Sequence, residues 1–302
     1  MSKRESIARY SLIIKKLRKH PADFSEILDY LDFESELQQY NYNISIRTFK
    51  RDLEDIESHF GIRIEYDFSE RKYKITEDNF SEATNRILEA YDIFNALSIS
   101  ERISKYIHFD KRTSNGTQHL YHLLKTIERR KVIIFDYHKY WNNKGQTFNR
   151  EAEPYALKEF KNRWYLLAKD LKDGQLKTFG LERMDELKIT RQAFSYPENF
   201  DVQQYFENSF GIIHPENEKP QKVELSFDPQ EANYLKSLPL HHSQKIIKDN
   251  EAEFVIRVKL YITYDFIKEL QAYSERVNVL NPTSLAKQII NNAKTLLSYY
   301  ER

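Results

Sequence analysis

Arg47, Lys50 and Arg51 are the side chains most readily read as chemistry, because a spacing of i, i+3 and i+4 puts three cations on one face of a helix. With Thr48 among them, such a face can meet double-stranded DNA: guanidinium forks read base edges, while lysines and hydroxyls hold phosphates. Arg71 and Lys72, with Lys74, make a second basic run, and Lys15, Lys16, Arg18 and Lys19 a third, each a candidate for phosphate contacts. The same residues also suit a solvated face. Asp52, Glu54, Asp55 and Glu57 turn the first run's own segment acidic further along, so both readings stay open at this level.

No catalytic constellation accompanies these cations. Ser, His and Asp are scattered without a G-x-S-x-G or H-E-x-x-H order, so enzymatic activity is not expected. His119 and His122 stand three apart but have no third ligand at metal spacing; like His241 and His242 they read as ordinary part-exposed side chains, and no metal or other cofactor is expected. Zero cysteines exclude disulfides and thiolate metal sites and fit a reducing compartment. Six glycines cannot assemble a Walker loop or a dinucleotide-binding turn. No apolar run approaches the roughly 18 residues of a membrane span, so a cytoplasmic protein without a membrane partner is expected.

The elements that must position the cations follow from periodicity. The 302 residues suffice for two or three domains. Ile7, Tyr10, Ile14 and Leu17 predict a first helix stopped by Pro21. Asp23, with Glu26 three residues on, caps a second carrying Phe24, Ile27, Leu28 and Leu31. Asp32 to Asn43 reads as a long polar turn. Ser45 then caps a third helix with Ile46, Phe49, Leu53 and Ile56 on its core side, ended by Gly61. Alternation through Ile62, Ile64 and Tyr66 and back through Tyr73 and Ile75 adds a hairpin. Helix, helix, helix, hairpin is the order of a winged helix-turn-helix over residues 1–78.

A helical linker is expected over 79–128, including a helix with Leu120, Leu123, Leu124 and Ile127. Over 129–192 six short strands predict a small barrel: Val132–Tyr137, Thr147–Arg150, Tyr155–Phe160, Trp164–Ala168, Leu176–Leu181 and Leu187–Thr190. Turns fall at Asn142–Gly145 and Asp173-Gly174. Strand and helix alternate over 193–302 as a ferredoxin-like α/β sandwich of split βαββαβ order, with Pro229 and Pro282 opening helices. The fold class expected is multidomain α+β. The net charge of +1 hides an uneven distribution: residues 1–78 carry 14 basic and 16 acidic side chains, residues 129–192 carry 15 and 9. The barrel is therefore the basic part, and its interleaved rings suit an anion that can stack.

The most specific string is Lys161-Asn162-Arg163-Trp164-Tyr165-Leu166-Leu167-Ala168-Lys169-Asp170, which resembles the WYL-domain family. Val132 to Tyr137 is similar to that family's first strand, Arg150 to Leu157 to its Arg and Pro segment, and Phe179-Gly180-Leu181-Glu182-Arg183-Met184 to its last-strand motif. Ser45 to Leu53 resembles the recognition helix of the winged helices that precede WYL domains, and Glu275 to Pro282 with Ser284-Leu285 the C-terminal WCX extension. The resemblance implies an Sm-like barrel that senses a nucleotide or short nucleic-acid effector and signals to a DNA-binding head in a homodimer. Carried over by position, the pocket would use Tyr137, Arg150, Tyr165 and Arg183, with Trp164 in the packing and Arg276 of the C-terminal sandwich as the next position to test. Gly180 stands where many members carry a larger, often basic residue. On the residues alone, Trp164 and Tyr165 also suit a barrel core, and Arg150 and Arg183 suit surface ion pairs with Glu153 or Glu182.

The expected function is that of a ligand-responsive, DNA-binding transcriptional regulator. The alternative is an accessory single-stranded nucleic-acid-binding protein that modulates a nuclease or defence system, which the acidic balance of residues 1–78 keeps open.

Overall fold

The computed structural model describes residues 3–38, 40–78, 89–90, 116–140 and 145–301. The chain divides into two compact units, Met1–Lys111 and Arg112–Arg302. Most of the expected linker, residues 79–88 and 91–115, and the turn tip 141–144 lie outside the described residues. Among the described residues no helix is long and apolar enough to cross a membrane.

The first unit contains α1 (Lys3–Lys19), α2 (Phe24–Gln38) and α3 (Ile46–Phe60), followed by the hairpin of β1 (Ile62–Asp67) and β2 (Lys72–Asp78). Asp23 and Glu26 form a reciprocal capping box: the Glu26 amide donates to Asp23 Oδ1 at 2.9 Å and the Asp23 amide to Glu26 Oε2 at 2.8 Å. Ser45 Oγ accepts from the Thr48 amide at 3.3 Å to start α3, and Gly61 ends it. Ile13, Ile14, Ile27, Leu31, Phe49 and Ile56 close one core.

Two expectations change. The turn read from Asp32 to Asn43 begins only after Gln38, because the polar residues there are good helix formers with a solvated face. Buried Tyr42 ties the shortened turn back, its amide donating to Ser35 Oγ and its hydroxyl to Gln38 Oε1, both at 2.9 Å. Ile46 is 43% exposed rather than core, since the first turn of α3 leaves the bundle.

The second unit opens with α4 (Leu120–Glu128), β3 (Lys131–His138), β4 (Thr147–Phe160), β5 (Arg163–Asp170), β6 (Leu176–Gly180) and β7 (Met184–Ala193). The strands form one antiparallel sheet in the order β6-β5-β4-β3-β7. β6 and β7 are opposite edges, yet only the three-residue turn Leu181–Arg183 joins them. Four inter-strand steps of ~4.8 Å would hold flat edges about 19 Å apart. The connecting chain reaches at most about 15 Å. The sheet must curl.

Thr147–Arg150 and Tyr155–Phe160 are one strand, not two: Pro154 lies at a register shift, where its missing N–H interrupts the ladder without ending it. The Asp173-Gly174 hairpin forms as expected, with the Gly174 amide donating to the Asp170 carbonyl at 2.8 Å. Leu123 of α4 is fully buried among Ile133, Phe135, Leu166 and Ala168, so this helix, expected in the linker, packs with the sheet.

α5 (Val202–Phe206) leads to β8 (Gln221–Phe227), α6 (Ala232–Ser237), β9 (Lys245–Asp249), β10 (Phe254–Leu260), α7 (Tyr264–Ala272), β11 (Val277–Asn281) and α8 (Thr283–Tyr300). The antiparallel order β11-β8-β10-β9 is that of a split βαββαβ unit. Pro229 opens its short helix behind Asp228, as the sequence suggests, whereas Pro282 has extended backbone and stands at the cap position, one residue before α8.

Candidate functional site

Three of the four acids of α3 are held by other side chains of the same unit, while exposed Glu54 stands on the basic face, three and four positions from Arg51 and Lys50. Asp52 is fully buried and accepts from Arg9, Nε to Oδ2 at 2.6 Å and Nη2 to Oδ1 at 2.9 Å. The Tyr10 hydroxyl donates to Asp55 Oδ2 at 2.6 Å, and burial plus that carboxylate push it up to about 12. Glu57 accepts from Arg63 Nε at 2.7 Å. Arg47, Lys50 and Arg51 remain exposed, with no side-chain partner among the described residues, and Thr48 Oγ1 lies 3.2 Å from Ser45 Oγ.

Of the other expected phosphate contacts, Arg71 is exposed at the hairpin turn and has no partner among the described residues. Lys72 is instead held by Glu26 at 3.3 Å, Lys74 by Asp67 at 2.5 Å and Arg18 by Asp78 at 3.2 Å, because the hairpin and the helices bring these acids alongside. Sequence reasoning missed Arg9, whose only signal is a cation inside the apolar stripe of α1.

In the second unit Tyr137, Lys139, Arg150 and Lys177 share an open cleft of about 360 Å³ with Tyr205 and His214. Asp170, fully buried, accepts through Oδ2 from Arg150 Nη1 at 3.2 Å and Lys177 Nζ at 2.8 Å, and through Oδ1 from the Lys172 amide at 3.0 Å. Arg150 therefore pairs with Asp170 and not with Glu153, which faces Lys169 instead. Its side chain is 8% exposed and its Nε is buried without a hydrogen-bond partner. Three lining cations face one lining carboxylate, and Lys177 also pairs with Asp173. Lys139, Lys177, Tyr205 and His214 carried no local signal, since only strand register and the return of the chain bring them to Arg150.

The carried-over pocket residues divide into two groups around Tyr137. With Arg150 it lines the cleft. On its other side Arg183 lies 5.1 Å from the Tyr137 ring centre and 5.4 Å from that of Tyr140. The Gly180 amide donates to the Tyr137 hydroxyl at 3.2 Å, and burial raises the Tyr137 pKa against the opposing pull of Arg183. A Cβ at Gly180 would stand 2.7 Å from Glu182 Oε2 and 2.8 Å from Arg183 Nη2. The missing side chain is what makes room for that guanidinium.

Tyr165 is buried beside this cluster, where burial and Glu182 raise its hydroxyl, and Trp164 packs at the edge of the sheet core. Arg183 Nε lies 3.5 Å from Glu182, so its expected rival pairing is present. Arg276 joins neither group: it donates to Glu231 Oε1 at 2.8 Å, because its turn belongs to the other sheet. His119 Nε2 donates to the Met184 carbonyl at 3.2 Å.

Comparison with known proteins follows these boundaries. A WYL domain model matches residues 118–189 and a WCX domain model residues 219–297. Among solved structures, the proteasome accessory factor B/C (PafBC) of Arthrobacter aurescens is 19% identical over 95% of this chain and 46% of that one, with a TM-score of 0.36. A CRISPR Cas-related protein is 10% identical over 60% of this chain and 51% of that one, with a TM-score of 0.23. This chain spans about half the length of either. No curated protein matches it. With its curled sheet matched by the one model and its βαββαβ unit by the other, the chain carries a WYL domain followed by a WCX domain.

Proposed function

We propose that the protein is a ligand-responsive transcriptional regulator that acts by binding rather than by catalysis. In this reading the first unit is a winged helix-turn-helix, with α3 in the major groove of duplex DNA and Arg71 of the wing on a phosphate. The curled sheet is an Sm-like barrel whose cleft takes a nucleotide-like anionic effector, and two copies form a homodimer on two half-sites. The observation that carries the reading is the α3 face: Arg47, Lys50 and Arg51 are exposed and without a side-chain partner among the described residues, while Asp52 and Glu57 of the same helix are paired with arginines and Asp55 accepts from Tyr10. The two arginine pairs offset part of the acidic balance of residues 1–78, with Glu54 left exposed on the basic face.

A switch of this kind needs an effector with different affinity for the DNA-competent and incompetent states. Genome-wide immunoprecipitation of the tagged protein tests the proposal. Discrete duplex sites are expected, and light scattering of the purified chain should give twice 36.4 kDa. Recovery of RNA or single strands without discrete duplex sites would favour the accessory-protein reading instead.

A further inference from the structure

Residues 190–218 lie between the two matched domains, and part of this bridge walls the cleft. Tyr205 of α5 and Ile212, Ile213 and His214 beyond it face the sheet-borne cations. The Tyr205 and His214 rings stack, their centres 4.0 Å apart and their planes 23° from parallel. Burial lowers the His214 pKa, which keeps the imidazole neutral in neutral buffer. The bridge thus contributes rings and aliphatic side chains, while the sheet contributes Lys139, Arg150 and Lys177.

The wall is anchored on both sides. Thr178 Oγ1 of β6 donates to the Ile212 carbonyl at 3.4 Å, the Ile212 amide donates to Asp265 Oδ2 of α7 at 3.0 Å, and the Tyr261 amide donates to the Asn208 carbonyl at 2.8 Å. Gly211 has φ 86°, and a Cβ there would stand 2.5 Å from Asp265 Oδ2. Only glycine lets the carboxylate approach this closely.

We propose that the cleft binds a single phosphate-bearing nucleotide unit, its anionic end on Arg150 and Lys177 and its base on the Tyr205–His214 wall, so that the bridge selects a ring-bearing anion over a bare one. This rests on the reading of the cleft as the effector site. Three features support it. The volume of about 360 Å³ is at the low end of small-molecule pockets, roughly 300–1,000 Å³, which suits one base and one phosphate. Arg150, more than nine-tenths buried, lines the cleft, and its buried Nε has no hydrogen-bond partner among the described residues. Stacking on an aromatic wall also tolerates any base, because every base has a π-face.

Calorimetry of the full chain with adenosine monophosphate, ribose 5-phosphate and inorganic phosphate tests the assignment. The wild type should bind the nucleotide about tenfold or more tightly than ribose 5-phosphate, and Tyr205→Leu should weaken the nucleotide alone until the two differ by less than about threefold. Tyr205→Phe, which keeps the ring, should retain the preference, and His214→Leu should act in the same direction as Tyr205→Leu; circular dichroism identifies any variant that fails to fold. If the wild type binds both sugar phosphates without preference, or folded Tyr205→Leu and His214→Leu keep the wild-type preference, the ring wall is wrong while the anion site stands. If the wild type binds none of the three probes, the effector reading falls and this inference with it.

Discussion

Each compact unit holds a buried arginine–aspartate pair, and the two pairs are built differently. Arg9 and Asp52 are both 0% exposed and joined by two parallel contacts, so neither group is open to a ligand. Arg150 and Asp170 make a single 3.2 Å contact at the wall of a cleft; Lys177 shares the carboxylate, and Arg150 Nε has no hydrogen-bond partner. The first pair fixes α1 against α3 and so decides which face of α3 is exposed. The second places its guanidinium in the lining of a cleft. Burial of an ion pair is therefore no guide to its role; whether the pair lines a cleft is.

The largest expected effect is on the closed pair. Asp52→Asn should cost about 3–5 kcal/mol in urea unfolding, because it strands the Arg9 cation in the core. The double variant Arg9→Met with Asp52→Leu should recover most of that loss, and a loss no greater than that of a surface substitution in Asp52→Asn would erase the distinction drawn here. Arg150→Ala should cost less, about 1–3 kcal/mol, since Asp170 keeps Lys177 and the Lys172 amide. The same change should abolish saturable, salt-sensitive effector binding in calorimetry.

Arg47→Ala and Arg51→Ala sharpen the comparison from the other direction, for they lie on the face that the closed pair sets. Each should weaken duplex binding in gel shifts by about 1–3 kcal/mol while the melting temperature barely moves. Unaltered duplex binding by the double variant would remove α3 as the reading helix.

The smallest effect is a difference in acid response. Burial, with His242 and Lys158 nearby, pushes His241 of the second unit down from 6.5 to about 4. The unfolded chain takes up this proton near pH 6.5 and the folded chain only near pH 4, so stability should fall as the pH drops through that window. His241→Gln should flatten the decline in melting temperature between those limits, and a profile identical to the wild type would show that the imidazole is not the group responsible.

Much of the architecture is written locally. The apolar stripes of the first three helices, the caps at Asp23 and Ser45, the stop at Gly61, the Asp173-Gly174 turn and the alternation of strands and helices after residue 220 all depend on residues a few positions apart. Where the local signal was weak, the reading stopped early, as at Gln38 of α2, or broke an element, as at Pro154 of β4. The basic trio of α3 was legible for the same reason, since i, i+3 and i+4 define a helix face in advance of any tertiary contact.

The sequence by itself thus determined most of the elements, their order, the WYL and WCX domains and the cationic face of α3. Tertiary structure alone decided which charges are spent: Arg9 reaches Asp52 across 43 positions, Arg150 reaches Asp170 across 20, and Asp265 reaches the Ile212 amide across 53. Helix and turn signals act over a few residues of backbone geometry. The partner of a buried charge depends on how whole elements pack and on strand register, and neither is encoded near the residue itself.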